Sequence, residues 1–296
     1  MGLAFERIII VMLENSTRAN VLANRYMNRL RKQGVFLANS YGVTHSSQPN
    51  YIASTGGDTF GFIDDDPGWA KWIYTTDLDH DAPPVSTIVD LLEAQGLTWK
   101  AYAEDIQPAD IVTTGRVPPF PQDPPPGTFP FARKHVPFLS YPSIMSVPER
   151  VANIVDAAQF AADLESGSLP HYSWFTPNLI NDGHSLTSGE KHVDPGDQDR
   201  HVNIDNIAHF LQGFLGDDPI ARFPPETLIV VTFDEAYPYY DPYEIYTLLI
   251  GDMLPAGTTR TEPYNHYSLL RSVEVNFGLG SLHRNDAVAS PFWFLG

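Results

Sequence analysis

The stretch Thr44-His45-Ser46-Ser47-Gln48-Pro49-Asn50-Tyr51 gathers hydroxyls, an imidazole, an amide and a proline, and small residues follow it through Gly57. Ser is a favoured helix N-cap and Pro is tolerated in a first turn. A helix is therefore expected over about 48–55 with Ser47 at its start. A hydroxyl there faces the positive end of a helix dipole and free backbone N–H groups. That setting suits a nucleophile attacking phosphorus, or a phosphate docking beside it. Ordinary capping uses the same residue type, so the stretch gains its meaning from the acids and histidines elsewhere in the chain.

Glu14-Asn15, Asp182-Gly183-His184 and Asp234-Glu235 each follow a run that reads as a buried strand. Parallel strands present their C-terminal ends along one edge of a sheet, where residues distant in sequence can meet. Carboxylates gathered there repel one another unless a cation sits among them. Oxygen-rich ligands favour Mg²⁺, Ca²⁺ or Mn²⁺, and added imidazole admits Zn²⁺ or Fe. A metal beside a serine lowers the hydroxyl pKa and neutralises charge on a phosphoryl oxygen. Each cluster also has a plainer reading. Glu14-Asn15-Ser16 could cap the next helix, Asp182-Gly183 is a good turn pair, Asp234-Glu235 could be another N-cap, and Lys134-His135 could be a surface pair. Their joint placement at predicted strand ends, with a serine at a helix start, favours a site.

The elements that must position these residues are legible in the hydrophobic pattern. Strands are expected at 8–13, 97–102, 171–177, 228–233 and 245–250, with a short one at 35–37. Helices are expected near 21–33, 88–92, 158–165, 202–214 and 269–277. Their alternation predicts an α/β fold, a largely parallel sheet covered on both faces, in one domain spanning 1–296. Residues 58–84 read as loop and contain the acidic run Asp64-Asp65-Asp66. Residues 107–148 hold many of the 26 prolines. A structureless stretch of that length reads as a functional insertion or lid, anchored by Phe129, Phe131, Phe138 and Leu139.

Composition narrows the partners. The net charge is −18, from 36 acidic and 18 basic residues, which argues against non-specific binding to nucleic acid or anionic membranes. There is no cysteine, so any metal must rest on carboxylates, imidazoles, amides or hydroxyls. The apolar run 8–13 is too short to span a bilayer and has no signal-peptide pattern. As given, the chain reads as cytoplasmic; a chain trimmed of its signal, secreted or periplasmic, would read the same.

Six stretches, in order, carry a family resemblance: Val11-Met12-Leu13-Glu14-Asn15, His45 to Tyr51, Arg133-Lys134-His135-Val136-Pro137-Phe138, Trp174 to His184, Thr232-Phe233-Asp234-Glu235 and His266 to Glu274. The chain resembles the phosphoesterase family of acid phosphatases and phosphatidylcholine-type phospholipases C, within the alkaline phosphatase-like superfamily. The resemblance implies a three-layer α/β/α sandwich and one metal-dependent active site. Glu14, Asn15, Asp234 and Glu235 would hold one divalent metal ion. Ser47 would be both ligand and nucleophile, forming a phosphoseryl intermediate, with Ser46 and Thr44 as fallback choices. His45, Lys134, His135, His184 and His266 are candidates to grip phosphate oxygens or protonate the leaving group; His135 and His184 are assigned to catalysis. Asn50 joins the substrate-binding set, and Asp182 would orient a histidine or complete a second metal position. After Glu235 the chain departs from the family pattern through Ala236-Tyr237-Pro238-Tyr239-Tyr240-Asp241, and with Tyr243 this forms an expected aromatic rim.

The expected function is hydrolysis of a small phosphorylated substrate by an acid phosphatase-type phosphomonoesterase. A phospholipase C-like phosphodiesterase, which would meet membrane lipid, is the enzymatic alternative. An inactive relative that binds a phosphorylated ligand, and an unrelated α/β protein with a structural Ca²⁺ site, are the non-catalytic ones.

Overall fold

The computed structural model describes residues 4–63, 65, 85–107, 111, 130–184, 200–237 and 244–292. The strands are β1 (Arg7–Leu13), β2 (Val35–Tyr41), β3 (Trp99–Ala103), β4 (Ile154–Asp156), β5 (Tyr172–Thr176), β6 (Thr227–Phe233), β7 (Glu244–Ile250) and β8 (Thr258–Asn265). The helices that cover them are α1 (Arg18–Ala23), α2 (Arg25–Leu30), α3 (Ser47–Gly56), α4 (Ile88–Ala94), α5 (Ala158–Glu165), α6 (Arg200–Leu215) and α7 (His266–Phe277). Among the described residues no helix is long and apolar enough to cross a membrane.

The strands form one 8-stranded sheet in the order β4-β3-β5-β1-β6-β7-β2-β8. β7 runs antiparallel to both its neighbours, and every other pairing is parallel. The largely parallel sheet expected from the pattern is therefore present. Its apolar runs sit at the centre, where both faces are covered.

Alternation along β1 shows how the layers arise. Ile8, Ile10 and Met12 point into a core shared with Tyr51 and Ile52 of α3, Ile88 and Leu92 of α4, and Leu269 and Val273 of α7. Ile9, Val11 and Leu13 point the other way, into a core with Val21, Met27 and Leu30 of α1 and α2, Phe160 of α5, and Ile207 and Leu211 of α6. A period of two in the strand thus divides the helices into two layers. All of these side chains are buried.

Several elements differ from expectation for identifiable reasons. The single helix expected over 21–33 is two helices, because Asn24 leaves helical geometry and its side chain accepts from Tyr26 and Met27 N–H, restarting the helix as α2. β8 lacks a hydrophobic run, since most of its residues are exposed or half-buried at a sheet edge. Residues 131–148, expected within a structureless lid, carry the short helical turns Arg133–His135, Pro137–Ser140 and Pro142–Met145, and a fourth, Pro148–Val151, begins where the expected lid ends. Proline opens most of these turns, and Phe131, Val136, Phe138, Leu139 and Tyr141 are buried. Most of 108–129 and the rim residues Tyr239, Tyr240 and Tyr243 lie outside the described residues.

Candidate active site

The site is built at the C-terminal edge of the sheet. β1 ends at Leu13 beside Phe233, the last residue of β6. The Asp234 N–H donates to the Leu13 carbonyl (2.9 Å), and the Glu14 N–H donates to the Asp182 carbonyl (2.9 Å). Strand register brings Glu14 beside Asp234, and the loop hydrogen bond after β5 brings Asp182 to them. Asn15 turns the chain away in a left-handed conformation (φ 45°), which Asn tolerates better than most residues, and its N–H donates to Asp234 Oδ1 (3.1 Å). The cap of α1 is Thr17, whose side chain accepts from the Asn20 N–H. Glu14 and Asn15 are thus not helix caps.

Ser47 is the first residue of α3, and Ser46 occupies the cap position without a side-chain cap bond. The Ser47 hydroxyl is not turned back onto its own helix. It donates to Glu14 Oε2 (3.0 Å) and lies 3.5 Å from Glu235 Oε1. The approach to α3 is held by Asn50. Its Oδ1 accepts from the Val43 and Thr44 N–H groups, and its Nδ2 donates to the Thr44 and Ser46 carbonyls (2.8–3.2 Å). Asn50, expected among the substrate-binding residues, is therefore engaged with the loop that presents Ser47.

Glu14 is the hub. Its Oε2 accepts from Asn15 Nδ2 (2.7 Å) and lies 3.2 Å from His184 Nδ1. Its Oε1 lies 3.0 Å from His135 Nε2. The other nitrogen of His135 lies 3.0 Å from Asp182 Oδ2, and Asp182 Oδ1 accepts the His184 N–H (2.8 Å). Asp182 thus orients the His135 ring and holds the His184 main chain. Gly183 between them has φ 91°, and a Cβ there would stand 2.5 Å from Ile207 Cδ1 of α6. His45 Nδ1 pairs with Glu235 Oε2. His266, the first residue of α7, directs Nε2 at the Asp234 backbone carbonyl, supporting the end of β6 rather than reaching the Ser47 hydroxyl. Lys134 is buried and pairs with Asp65 Oδ2 at 3.0 Å. The predicted residues thus form one cluster, with Asn50 and His266 at its supports.

Two contributors went unassigned in the sequence. Tyr51 stacks flat on His135 (centroids 5.0 Å, interplanar 6°). Its position one helical turn after Ser47 was the available signal. Asp65 belongs to the acidic run in the loop over 58–84, where nothing in the sequence sets it apart from its neighbours.

Burial dominates the electrostatics. It pushes the Glu14 carboxyl up to about 7 and Glu235 up to about 8, against the pull of Lys134 on the first and the His45 contact on the second. Burial and the charge of Glu14 hold Asp182 and Asp234 well above the usual carboxylate range. Burial drives His135 well below the usual imidazole range and His266 down to about 4, so both rings are neutral at pH 7. Such a concentration of carboxylates is one that a bound cation would stabilise. Asp234 Oδ2 and Asn15 Oδ1 are buried without hydrogen-bond partners, as expected of atoms waiting on a ligand. Glu14, His135 and His184 offer ligand atoms within 4.8 Å of one another. The donor set fits a divalent metal, and the group that could hold one includes both histidines assigned to catalysis.

The fold, a mostly parallel sheet covered by helices on both faces, is shared with solved structures of the alkaline phosphatase superfamily. A solved structure described as a protein in that superfamily from Vibrio parahaemolyticus matches with a TM-score of 0.56 over 96% of this chain and 70% of its own, at 13% identity. The chain belongs to the phosphoesterase family, whose model matches residues 20–280. It is 32% identical over 295 residues to the phosphate-repressible acid phosphatase of Penicillium chrysogenum, covering 98% of this chain and 63% of that protein. A phosphatidylinositol-3-phosphatase from Mycobacterium tuberculosis is 27% identical over 285 residues, covering 93% of this chain and 78% of the relative. The chain thus spans less than two thirds of the length of the fungal relative, and the family read from the sequence motifs is the family found.

Proposed function

We propose that this protein is a metal-dependent phosphomonoesterase that works through Ser47. The observation that carries the reading is the Ser47 hydroxyl, buried at the start of α3 and donating to Glu14 Oε2 at 3.0 Å. The hydroxyl is not bonded to its own helix; it points at carboxylates that can hold a metal and accept its proton. The relatives named acid phosphatase and phosphatidylinositol-3-phosphatase support hydrolysis of a phosphoric monoester, on a small molecule or a lipid headgroup.

In this reading Glu14, Asn15, Asp234, Glu235 and Ser47 would hold the metal, and His135 and His184, grouped with Glu14, could join them. When bound, the metal lowers the hydroxyl pKa and offsets charge on a phosphoryl oxygen. The Ser47 oxygen attacks phosphorus, forming the Oγ–P bond as the ester P–O bond breaks, and the leaving oxygen takes up a proton. Water then cleaves the phosphoseryl ester and releases inorganic phosphate. Neutral His135, oriented by Asp182 and by the Tyr51 ring, is available as a ligand or proton carrier. Asn50 keeps the loop before Ser47 in place.

The test is release of p-nitrophenol from p-nitrophenyl phosphate and from its bis-ester, after chelation and after adding back single metals. Metal-restored hydrolysis of the monoester, abolished in Ser47→Ala at unchanged metal content, is the expected result. Hydrolysis that survives Ser47→Ala sinks the nucleophile. Release from the diester alone replaces the phosphomonoesterase by the phosphodiesterase.

A further inference from the structure

Asp65 is a second anion at the start of the nucleophile's helix. Its Oδ1 accepts the Gln48 backbone N–H at 2.9 Å, and its Oδ2 lies 3.0 Å from Lys134 Nζ. Gln48 follows Ser47 directly, so its N–H is one of the helix-terminal donors beside the Ser47 hydroxyl. One carboxylate thus uses its two oxygens as two oxygens of a phosphoryl group would, one on a helix-terminal N–H and one on an ammonium.

We propose that Asp65 is an internal occupant of the phosphoryl-oxygen cradle, and that substrate binds by displacing it. The inference rests on the reading of Ser47 as nucleophile and identifies two groups, the Gln48 N–H and Lys134, that receive the oxygens of the phosphoryl it attacks. The asymmetry of the pair supports exchange. The Lys134 side chain is 4% exposed and the Asp65 side chain 29%. The ammonium cannot retreat to water, whereas the partly exposed carboxylate can be rehydrated when it leaves. Displacement leaves Lys134 paired, because the incoming phosphoryl group supplies the same two acceptors. Until then the carboxylate keeps a buried ammonium satisfied and excludes weaker anions from the cradle.

The function of such an occupant is selectivity by competition. An anion that offers only one oxygen, or too little charge, fails to replace two charge-assisted bonds, and a phosphoryl group succeeds. Apparent affinity for phosphate is then reduced by the fraction of time the cradle is open.

The experiment uses the metal-loaded protein and inorganic phosphate as probe. Calorimetry on wild type and Asp65→Asn gives the two dissociation constants, and a crystal structure of wild type with phosphate shows where Asp65 goes. The expected results are binding about tenfold tighter in the variant, as for an open state populated about a tenth of the time, and Asp65 released with phosphate oxygens on the Gln48 N–H and Lys134. Equal or weaker binding by the variant overturns the proposal. So does a bound phosphate with Asp65 still seated on both donors, even if the tighter binding is seen, since loss of a nearby charge alone would produce that. If both proteins hydrolyse the monoester while Asp65 stays seated, only this inference fails; if neither hydrolyses it nor binds phosphate, the phosphomonoesterase reading fails with it.

Discussion

Replacing Glu14 by Gln is expected to stabilise the metal-free protein while disabling it. Glu14 is fully buried beside Asp182, Asp234 and Glu235, and burial raises its carboxyl from 4.5 to about 7. A group whose folded pKa is raised contributes stability that is fully present below about 4.5 and lost as pH rises through about 7. At about 1.4 kcal/mol per pH unit, ionised Glu14 therefore costs the metal-free fold about 3 kcal/mol at pH 8. Gln keeps the shape and removes the titration. The expected result is a Tm higher than wild type by about 5 °C at pH 8 in chelator, with the difference vanishing near pH 4. With metal present the order reverses. The hub loses its charge, and metal affinity is expected to fall at least about 100-fold, with hydrolysis falling further. Thermal unfolding by calorimetry at both pH values, with and without metal, separates the terms. A variant less stable than wild type in chelator at pH 8, or one that binds metal as wild type does, would refute the charge-cluster argument.

Gly183→Ala forces a Cβ to within 2.5 Å of Ile207 Cδ1 at a φ of 91°. It is expected to cost about 2 kcal/mol by combined strain and overpacking and to reduce activity by moving His184, as read by Tm and kcat. Asn50→Ala removes four bonds to the loop over 43–46; kcat is expected to fall with metal content intact, and an unchanged kcat would show that the loop holds itself. Glu274 and Asp286 are both buried, with Arg271 Nη1 on Glu274 Oε2 (3.0 Å). Burial raises the Glu274 carboxyl to about 7, with Asp286 adding to the rise and Arg271 opposing it. This contribution to stability is present below about 4.5 and lost through about 7, so Glu274→Gln is expected to flatten the pH dependence of Tm between pH 5 and 8; a slope equal to that of wild type would reject the assignment.

The central strands and the acids behind them were legible because both sheet faces are covered, which makes β1 and β6 continuous apolar runs with abrupt polar ends. The observed β1, Arg7–Leu13, and β6, Thr227–Phe233, lie within a residue of the expected runs. β8 was illegible for the opposite reason: at the sheet edge it keeps only Tyr264 buried, so no periodic signal exists. The reversed direction of β7 left no trace either, since a buried strand has the same composition in both directions.

Within the site the legible part was residue type, and the illegible part was what each group faces. Ser47 and Asn50 lie in the same motif, three residues apart on the same helix. One hydroxyl escapes capping because Ser46 takes the cap position, and it reaches Glu14. The other side chain turns back to hold the loop. Sequence spacing cannot separate these fates, because they depend on where β1 and β6 deliver Glu14 and Glu235 relative to the helix start. The same holds for Asp65. As one of three adjacent acids in a loop it has no distinguishing pattern, and only the fold sets it between a helix-terminal N–H and a buried lysine. The chemistry at the sheet edge follows from register: the Leu13–Phe233 pairing puts Glu14 against Asp234, and that crowding of carboxylates is what makes this edge a candidate cation site.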